Sequence, residues 1–134
     1  MINSFLRKAQ ANDTNAIHLL IRSVAREGHL LGRDKRDIQE NINSFFVWDD
    51  PEKGVTACCG LTIYSQKLAE IRSLVVREDF QKQGIGNKLV RECLKLAKKK
   101  KIYEVLAITD RVNFFNNLGF GKWLGDQYPM IVRP

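Results

Sequence analysis

Six residues, Gln81-Lys82-Gln83-Gly84-Ile85-Gly86, have the types and spacing best suited to chemistry. They follow Val75-Val76, which reads as the end of a strand, and they open a helix near Gly84. Two glycines let the main chain pass close to a ligand and take φ values closed to other residues. A helix directly after them turns its first free N–H groups, and the positive end of its dipole, back on the turn. Such a turn binds phosphate. The pattern therefore predicts a nucleotide-like ligand at the end of the strand. Two better-known phosphate loops do not match: Leu89 stands where the third glycine of GxGxxG would fall, and GxxxxGK[ST] is absent. The same residues also read as an ordinary helix start whose glycines relieve crowding between strand and helix. From this stretch alone both readings stand.

Other reactive side chains offer less. Cys58, Cys59 and Cys93 are odd in number and lack CxxC spacing, which argues against zinc and against a disulfide framework. A reducing cytoplasm is the expected setting. No histidine lies near a cysteine in sequence to activate it, so a covalent cysteine intermediate is not expected. His18 on the first helix and His29 near Leu30-Leu31-Gly32-Arg33 read as surface or packing residues. The net charge of +7 admits an anionic partner, either nucleic acid or a phosphorylated small molecule. Much of it sits in Lys98-Lys99-Lys100-Lys101, which reads as a solvated helix end where cations suit the dipole. No zinc finger or aromatic-interleaved basic motif supports specific nucleic-acid recognition.

The elements that must position the turn follow from patterning. At 134 residues, 44% hydrophobic and 28% charged, the chain reads as one globular domain over 1–134. No apolar run reaches the ~20 residues of a membrane span, and residues 1–10 lack the apolar region of a secretory signal. Residues 5–9 read as a first strand. Asn12 or Asp13 can cap a helix whose apolar positions are Ile17, Leu20, Ile21 and Val24, ended by Gly28. Asp34 or Asp37 can start a second short helix through Ile38 and Ile42. Residues 45–48 and 55–64 form a hairpin around Asp49-Asp50-Pro51-Glu52-Lys53-Gly54, and 68–77 is the next strand. The helix over about 84–99 has an apolar stripe at Leu89, Val90, Cys93, Leu94 and Ala97. A buried-looking strand at 105–108, a short helix at 111–118 closed by Gly119, and two strands at 120–124 and 130–133 complete the order β-α-α-β-β-β-α-β-α-β-β. That is an α+β domain around one mixed sheet.

This order, with the glycine turn at its centre, resembles the GCN5-related N-acetyltransferase (GNAT) family, whose twisted, mostly antiparallel sheet is flanked by helices. The family's acetyl-CoA motif, Q/R-x-x-G-x-G/A, is met by Gln81, Gly84 and Gly86 after the strand at 71–76. A second stretch, Asn113-Phe114-Phe115-Asn116-Asn117-Leu118-Gly119-Phe120, is similar to the family's FYEKLGF segment. A narrower likeness runs through Leu30-Leu31-Gly32-Arg33, Ala69-Glu70-Ile71-Arg72-Ser73-Leu74 and Phe114-Phe115. It is to the acetyltransferase domain of N-acetylglutamate synthases, amino-acid N-acetyltransferases of arginine biosynthesis. The chain resembles their short relatives, with no room for the amino-acid-kinase-like domain of the longer synthases.

The resemblance implies an acetyl-CoA-dependent N-acetyltransferase that passes the acetyl group directly to a primary amine, and no metal. It implies that Leu74, Val75 and Val76 line the acetyl-CoA site, one N–H of Val75 or Val76 holding the thioester carbonyl as charge grows there. Gln81, Lys82, Gln83, Gly84, Ile85, Gly86 and Asn87 would cradle the pyrophosphate, with Lys82 and Lys88 adding charge, and Phe114 and Phe115 would complete the site. Glu70 matches the synthases' glutamate and is the expected general base. Ideal alternation places Glu70 and Arg72 on one face and Ser73 on the other, but this family bulges the strand, which re-aims side chains. The usual family tyrosine falls at Phe115, so Ser73, Thr109 or a water is left to protonate the departing thiolate; Tyr64, Tyr103 and Tyr128 stay open. Leu31 and Arg33 match the synthases' acceptor site, where an arginine fork suits a carboxylate, with Arg72 and Arg111 as secondary candidates. Gln127 and Tyr128 replace an arginine expected before the last strand. Glutamate is therefore one acceptor among several, beside a smaller amino acid, another amine or a protein N-terminus. A binding module that senses acetyl-CoA without turnover is the alternative from another class. The expected partners are acetyl-CoA and a small amine, without membrane or specific nucleic acid, and a homodimer is left open.

Overall fold

The computed structural model describes residues 5–25, 32–122 and 127–134. Five strands form one sheet in sequence order: β1 (Leu6–Lys8), β2 (Phe45–Asp50), β3 (Gly54–Ile63), β4 (Leu68–Val76) and β5 (Glu104–Leu106). The first three pairings are antiparallel and β4–β5 is parallel, so the sheet is mixed and mostly antiparallel, as the sequence predicts. Helices α1 (Thr14–Ala25) and α2 (Lys35–Glu40) lie in the β1–β2 connection, α3 (Ile85–Lys99) crosses from β4 to β5, and α4 (Val112–Asn116) follows β5.

The two faces of the sheet have separate cores. Ile85, Leu89, Val90, Cys93, Leu96 and Ala97 of α3 pack on Phe46, Trp48, Ala57, Cys59, Leu61, Ala69 and Ile71. Ile17, Leu20 and Ile21 of α1, with Ile38 of α2, pack on Phe45, Val47, Cys58 and Val75. Alternating residues of β2 and β3 thus serve opposite helices, which is why these strands read as nearly continuous apolar runs.

β4 does not alternate evenly. Cys58 pairs with Val75, but Gly60 pairs with Arg72, so β4 carries one extra residue between these rungs. Ser73 absorbs it at φ +59°, a left-handed conformation uncommon outside glycine. Ala69 and Ile71 face α3 before the bulge; Leu74 and Val76 do so after it, and Val75 turns to the α1 side. Glu70 and Arg72 therefore share the α1–α2 face.

Three expectations are corrected. Asp13 lies in a 3-10 turn (Ala11–Asp13) that runs into α1, and its carboxylate turns back onto the Gln10 N–H at 2.7 Å while pairing with Arg7. Strand β5 is shorter than 105–108 and only partly covered, leaving Ile108 exposed. The two C-terminal strands are not found: residues 120–122 and 127–134 form no ladder, and residues 123–126 fall outside the described set. Met130, Ile131 and Val132 are 87%, 79% and 81% exposed. An apolar run becomes a strand only when another backbone pairs with it, and none does so here.

Candidate active site

The glycine turn is built from backbone. Lys82 takes φ +64° and Gly84, the N-cap of α3, takes φ +79°. The first bond of α3 runs from the Lys88 N–H to the Gly84 carbonyl at 3.1 Å. The N–H groups of Ile85, Gly86 and Asn87 therefore have no acceptor inside the helix. Ile85 buries its side chain in the α3 core, so only its main chain can serve a ligand. Gln81 anchors the turn, its Nε2 donating to the Val76 carbonyl at 2.9 Å. Asn87 accepts from Arg91 Nε at 2.7 Å, and Lys82 and Gln83 are exposed. Lys88 points elsewhere, its ammonium lying 5.5 Å from the centre of the Trp48 ring.

Phe114 joins the second sequence signature to the turn. A Cβ placed on Gly86 would lie 3.6 Å from the Phe114 ring and 3.7 Å from Val76 Cγ2. Phe115 is buried instead, edge-on to Phe114 and Phe120 at 5.0 and 5.1 Å between ring centres. A phenylalanine suits that apolar setting, where a hydroxyl would need a partner. Thr109 Oγ1 accepts the Arg111 N–H at 2.8 Å, in the turn that leads from β5 into α4.

The sheet opens beside this turn. β4 and β5 pair only through Leu68–Glu104, Ala69–Val105 and Glu70–Leu106. Among the described residues no strand lies beside the outer edge of β4 from Ile71 to Val76. The Arg77 N–H bonds the Thr56 carbonyl at 2.9 Å, toward β3. Alternation then aims the N–H and carbonyl of Val76 at the open edge, and Gln81 takes that carbonyl. Glu70 marks the vertex of the opening, since it sits on the last paired rung.

Around Glu70 the α1–α2 face of the sheet carries polar side chains from four segments. Tyr64, one residue beyond β3, donates its hydroxyl to Glu70 Oε1. Arg33 is 8% exposed; its Nε and Nη2 reach the two Asp37 oxygens at 2.7 and 3.2 Å, and its Nη1 reaches Ser73 Oγ at 3.2 Å. Its guanidinium also lies 5.1 Å from the centre of the Phe45 ring. The Arg33 hydrogen bonds hold the Asp37 carboxyl below its usual range, against the opposing effect of partial burial, and Arg72 contributes through its charge. Arg72 is half-buried. Leu31, also expected at the acceptor site, falls outside the described residues.

The cysteines are not placed for chemistry. Burial pushes the Cys58 thiol up to about 12. Cys59 is also raised, first by its contact with Cys93 and then by burial. A thiol held protonated is a poor nucleophile, and both pack as small hydrophobes. Among the described residues no helix is long and apolar enough to cross a membrane.

The sequence does not point to Asp37 or Tyr64 as partners, although signals exist. Asp37 stands four residues after Arg33. Thr62 faces Glu70 across the hairpin, so Tyr64 is its diagonal neighbour, within reach of a long side chain.

The acetyltransferase (GNAT) family model matches residues 9–120. This chain belongs to that family. It is a GNAT acyltransferase, and its turn, open strand edge and α3 N-terminus all lie within the matched span. An uncharacterized N-acetyltransferase, CT2212 of Chlorobaculum tepidum, is 37% identical over 95% of this chain and 81% of its own. The amino-acid acetyltransferase of Pasteurella multocida is 29% identical over 86% of this chain but only 26% of its own. The N-acetylglutamate synthase of Neisseria gonorrhoeae, solved with coenzyme A and N-acetyl-glutamate, superposes with a TM-score of 0.81 at 25% identity. That match covers 92% of this chain and 30% of the synthase. The GNAT chain thus spans roughly a quarter to a third of the latter two proteins.

Proposed function

We propose that this GNAT enzyme transfers the acetyl group of acetyl-CoA to the α-amino group of glutamate or a similar amino acid, as in arginine biosynthesis. One observation carries the reading: Glu70 stands where β4 and β5 part, and the free edge of β4 runs from it to the glycine turn. An extended acyl arm can lie along such an edge as an added strand would. Its pyrophosphate would meet the N–H groups of Ile85, Gly86 and Asn87, which have no acceptor within α3. Acetyl-CoA supplies the activated acetyl group as a thioester. The Val76 N–H, aimed into the opening, is the donor suited to the thioester oxygen. Glu70 takes the proton from the acceptor's ammonium, directly or through a water, so that the neutral amine can attack. The C–N bond forms as the C–S bond breaks, and the second proton of the attacking nitrogen passes, through a hydroxyl or a water, to the departing thiolate, so that the coenzyme leaves as its thiol. Thr109, whose oxygen accepts the Arg111 N–H, is a donor for that sulfur, and Ser73 is a second.

The acceptor's carboxylate falls to Arg72, with Arg33 behind it. Arg33 spends its fork on Asp37 and Ser73, which fits holding the bulge and orienting the acceptor face. Arg72 shares that face with Glu70. The likeness to two proteins named for amino-acid acetylation supports an amino-acid acceptor.

The direct test is isotope-labelled acetyl-CoA with a panel of the twenty amino acids. Labelled N-acetylglutamate, or one closely related product, is the expected outcome. Calorimetry showing tight acetyl-CoA binding without acetylation of any amine would sink the enzyme reading of this site and favour a sensor.

A further inference from the structure

We propose that Tyr64 is a positioning residue for the reaction, fixing the Glu70 carboxylate through one oxygen so that the other faces the amine. The inference rests on the assignment of Glu70 as general base. Tyr64 is itself held in place: its N–H donates to the Leu68 carbonyl at 3.0 Å, closing the hairpin that carries both residues. Its hydroxyl donates to Oε1 of Glu70, leaving Oε2 for a substrate proton. The Glu70 hydrogen bond comes first among the influences that raise the Tyr64 phenol above its ordinary value, with partial burial second. The phenol therefore stays protonated, and a donor, across neutral pH. The charged groups around the pair are Arg72 on β4, Arg33 before α2, and Asp37 on α2. Arg72 and Arg33 both act on the Tyr64 hydroxyl through their charge. From β5 the neighbour across the rung is Leu106, which carries no charge. Tyr64 is 55% exposed, so its ring contributes little to the core and its loss leaves folding intact.

A carboxylate free to turn about its side-chain torsions samples orientations that do not face the amine. A fixed donor on one oxygen narrows them, and the gain appears in turnover rather than in binding. Hydrogen bonds to charged groups support an effect on the order of ten-fold in kcat for Tyr64→Phe, with the KM for acetyl-CoA unchanged. The test compares Tyr64→Phe, Glu70→Gln and the double variant, using L-glutamate or whichever amino acid of the panel is acetylated fastest. The inference requires that Glu70→Gln fall well below Tyr64→Phe and that the double variant be no slower than Glu70→Gln alone. If Glu70→Gln keeps full activity, the base assignment fails and the role of Tyr64 falls with it. If Glu70→Gln is slow but Tyr64→Phe is not, only the positioning role is lost. Additive losses in the double variant would also overturn it, because Tyr64 would then act independently of Glu70.

Discussion

At one end of the open edge of β4 the groups proposed to hold the coenzyme are main-chain: a left-handed Gly84, the first N–H groups of α3, and the Val76 amide. At the other end the groups proposed for the acceptor are side chains from two separated stretches: Arg33 with Asp37, and the hairpin that carries Tyr64, Glu70 and Arg72. The difference matches what each end must recognise. Phosphate and a thioester carbonyl are constant, and backbone amides bind them whatever side chains surround them. An amine acceptor is told from other amines by its own side chain, and only protein side chains can be matched to it. Substitutions should therefore separate the two ends. Damage at the turn should spare the acceptor, and damage on the α1–α2 face should spare the coenzyme.

The largest effect is expected at Gly84. An aspartate there must take φ +79°, which costs roughly 1–2 kcal/mol for an L-residue, and it sets a negative charge beside the proposed phosphate site. Gly84→Asp should weaken acetyl-CoA binding by about 100-fold or more, combining that strain with like-charge repulsion, as read by calorimetry. Gly86→Ala is the control. Its Cβ would make only ordinary contact with Phe114 and Val76, and alanine within a helix gains about 1 kcal/mol over glycine. It should leave affinity nearly unchanged and raise the melting temperature. Equal losses in both variants would mean that the turn binds through its shape as a whole and not through the left-handed position.

The same contrast explains what could be read from the chain alone. The turn into α3 was legible because a turn must spend glycines, and Gly84 and Gly86 stand just where the helix begins; its assignment to the coenzyme rested on the family resemblance. The order of elements along the chain through β5 followed from periodicity and turn residues. The side-chain end was assigned only through its resemblance to a known family, and the contact between Arg33 and Ser73 was not foreseen, since they are forty residues apart and nothing local joins them. The bulge has no sequence signal of its own: a serine at φ +59° is held there by what surrounds it, including the Arg33 bond to its hydroxyl. The predicted C-terminal strands failed for a related reason, because an apolar pattern does not say which backbone will pair with it.

Arg72→Ala and Arg33→Ala sharpen the acceptor end. If Arg72 meets the acceptor's carboxylate, its loss removes a charge-assisted hydrogen bond worth about 1.5–3 kcal/mol. The acceptor KM should then rise roughly ten- to a hundred-fold, with the KM for acetyl-CoA unmoved. Arg33→Ala should disturb both the acceptor KM and folding, because Ser73 and Asp37 lose their shared partner. Steady-state kinetics with a melting curve for each variant separates the two. A thermally intact Arg33→Ala with only a raised acceptor KM would assign the carboxylate to Arg33 instead.

A smaller effect, on stability, is expected at Asp37. The Arg33 side chain is 3% exposed and that of Asp37 42%, so Asp37→Asn leaves a buried guanidinium short of its counter-ion while the asparagine stays wetted. Leaving a buried donor poorly satisfied costs roughly 1–3 kcal/mol. The midpoint of urea unfolding at pH 7 should fall accordingly, without loss of acetyl-CoA affinity. A variant that lost coenzyme binding at full stability would show that the two ends of β4 are coupled through the bulge.

The smallest effect tests the charge of that pair directly. The folded Asp37 carboxyl titrates below its usual value because Arg33 hydrogen-bonds it, whereas in the unfolded chain it titrates near 3.9 as an ordinary aspartate does. Between those two values the unfolded chain holds more protons, so stability rises with pH. The pair's contribution is complete above about pH 5, where the unfolded carboxyl is also ionised, and is lost as pH falls through the folded value. Because Asp37 is partly exposed, solvent screening should keep this contribution below about 1 kcal/mol. Asp13 behaves in the same direction: burial opposes its ionisation, but bonds from Arg7 and the Gln10 N–H outweigh that and hold it low. Its contribution persists in Asp37→Asn and cancels between the two proteins. Urea midpoints measured from pH 6 to pH 2.5 should therefore show the gap between wild type and Asp37→Asn narrowing as the solution is acidified. A gap constant over that range would mean that Asp37 supports Arg33 through hydrogen-bond geometry alone, which an amide reproduces only in part, and that its charge adds nothing to holding the acceptor face.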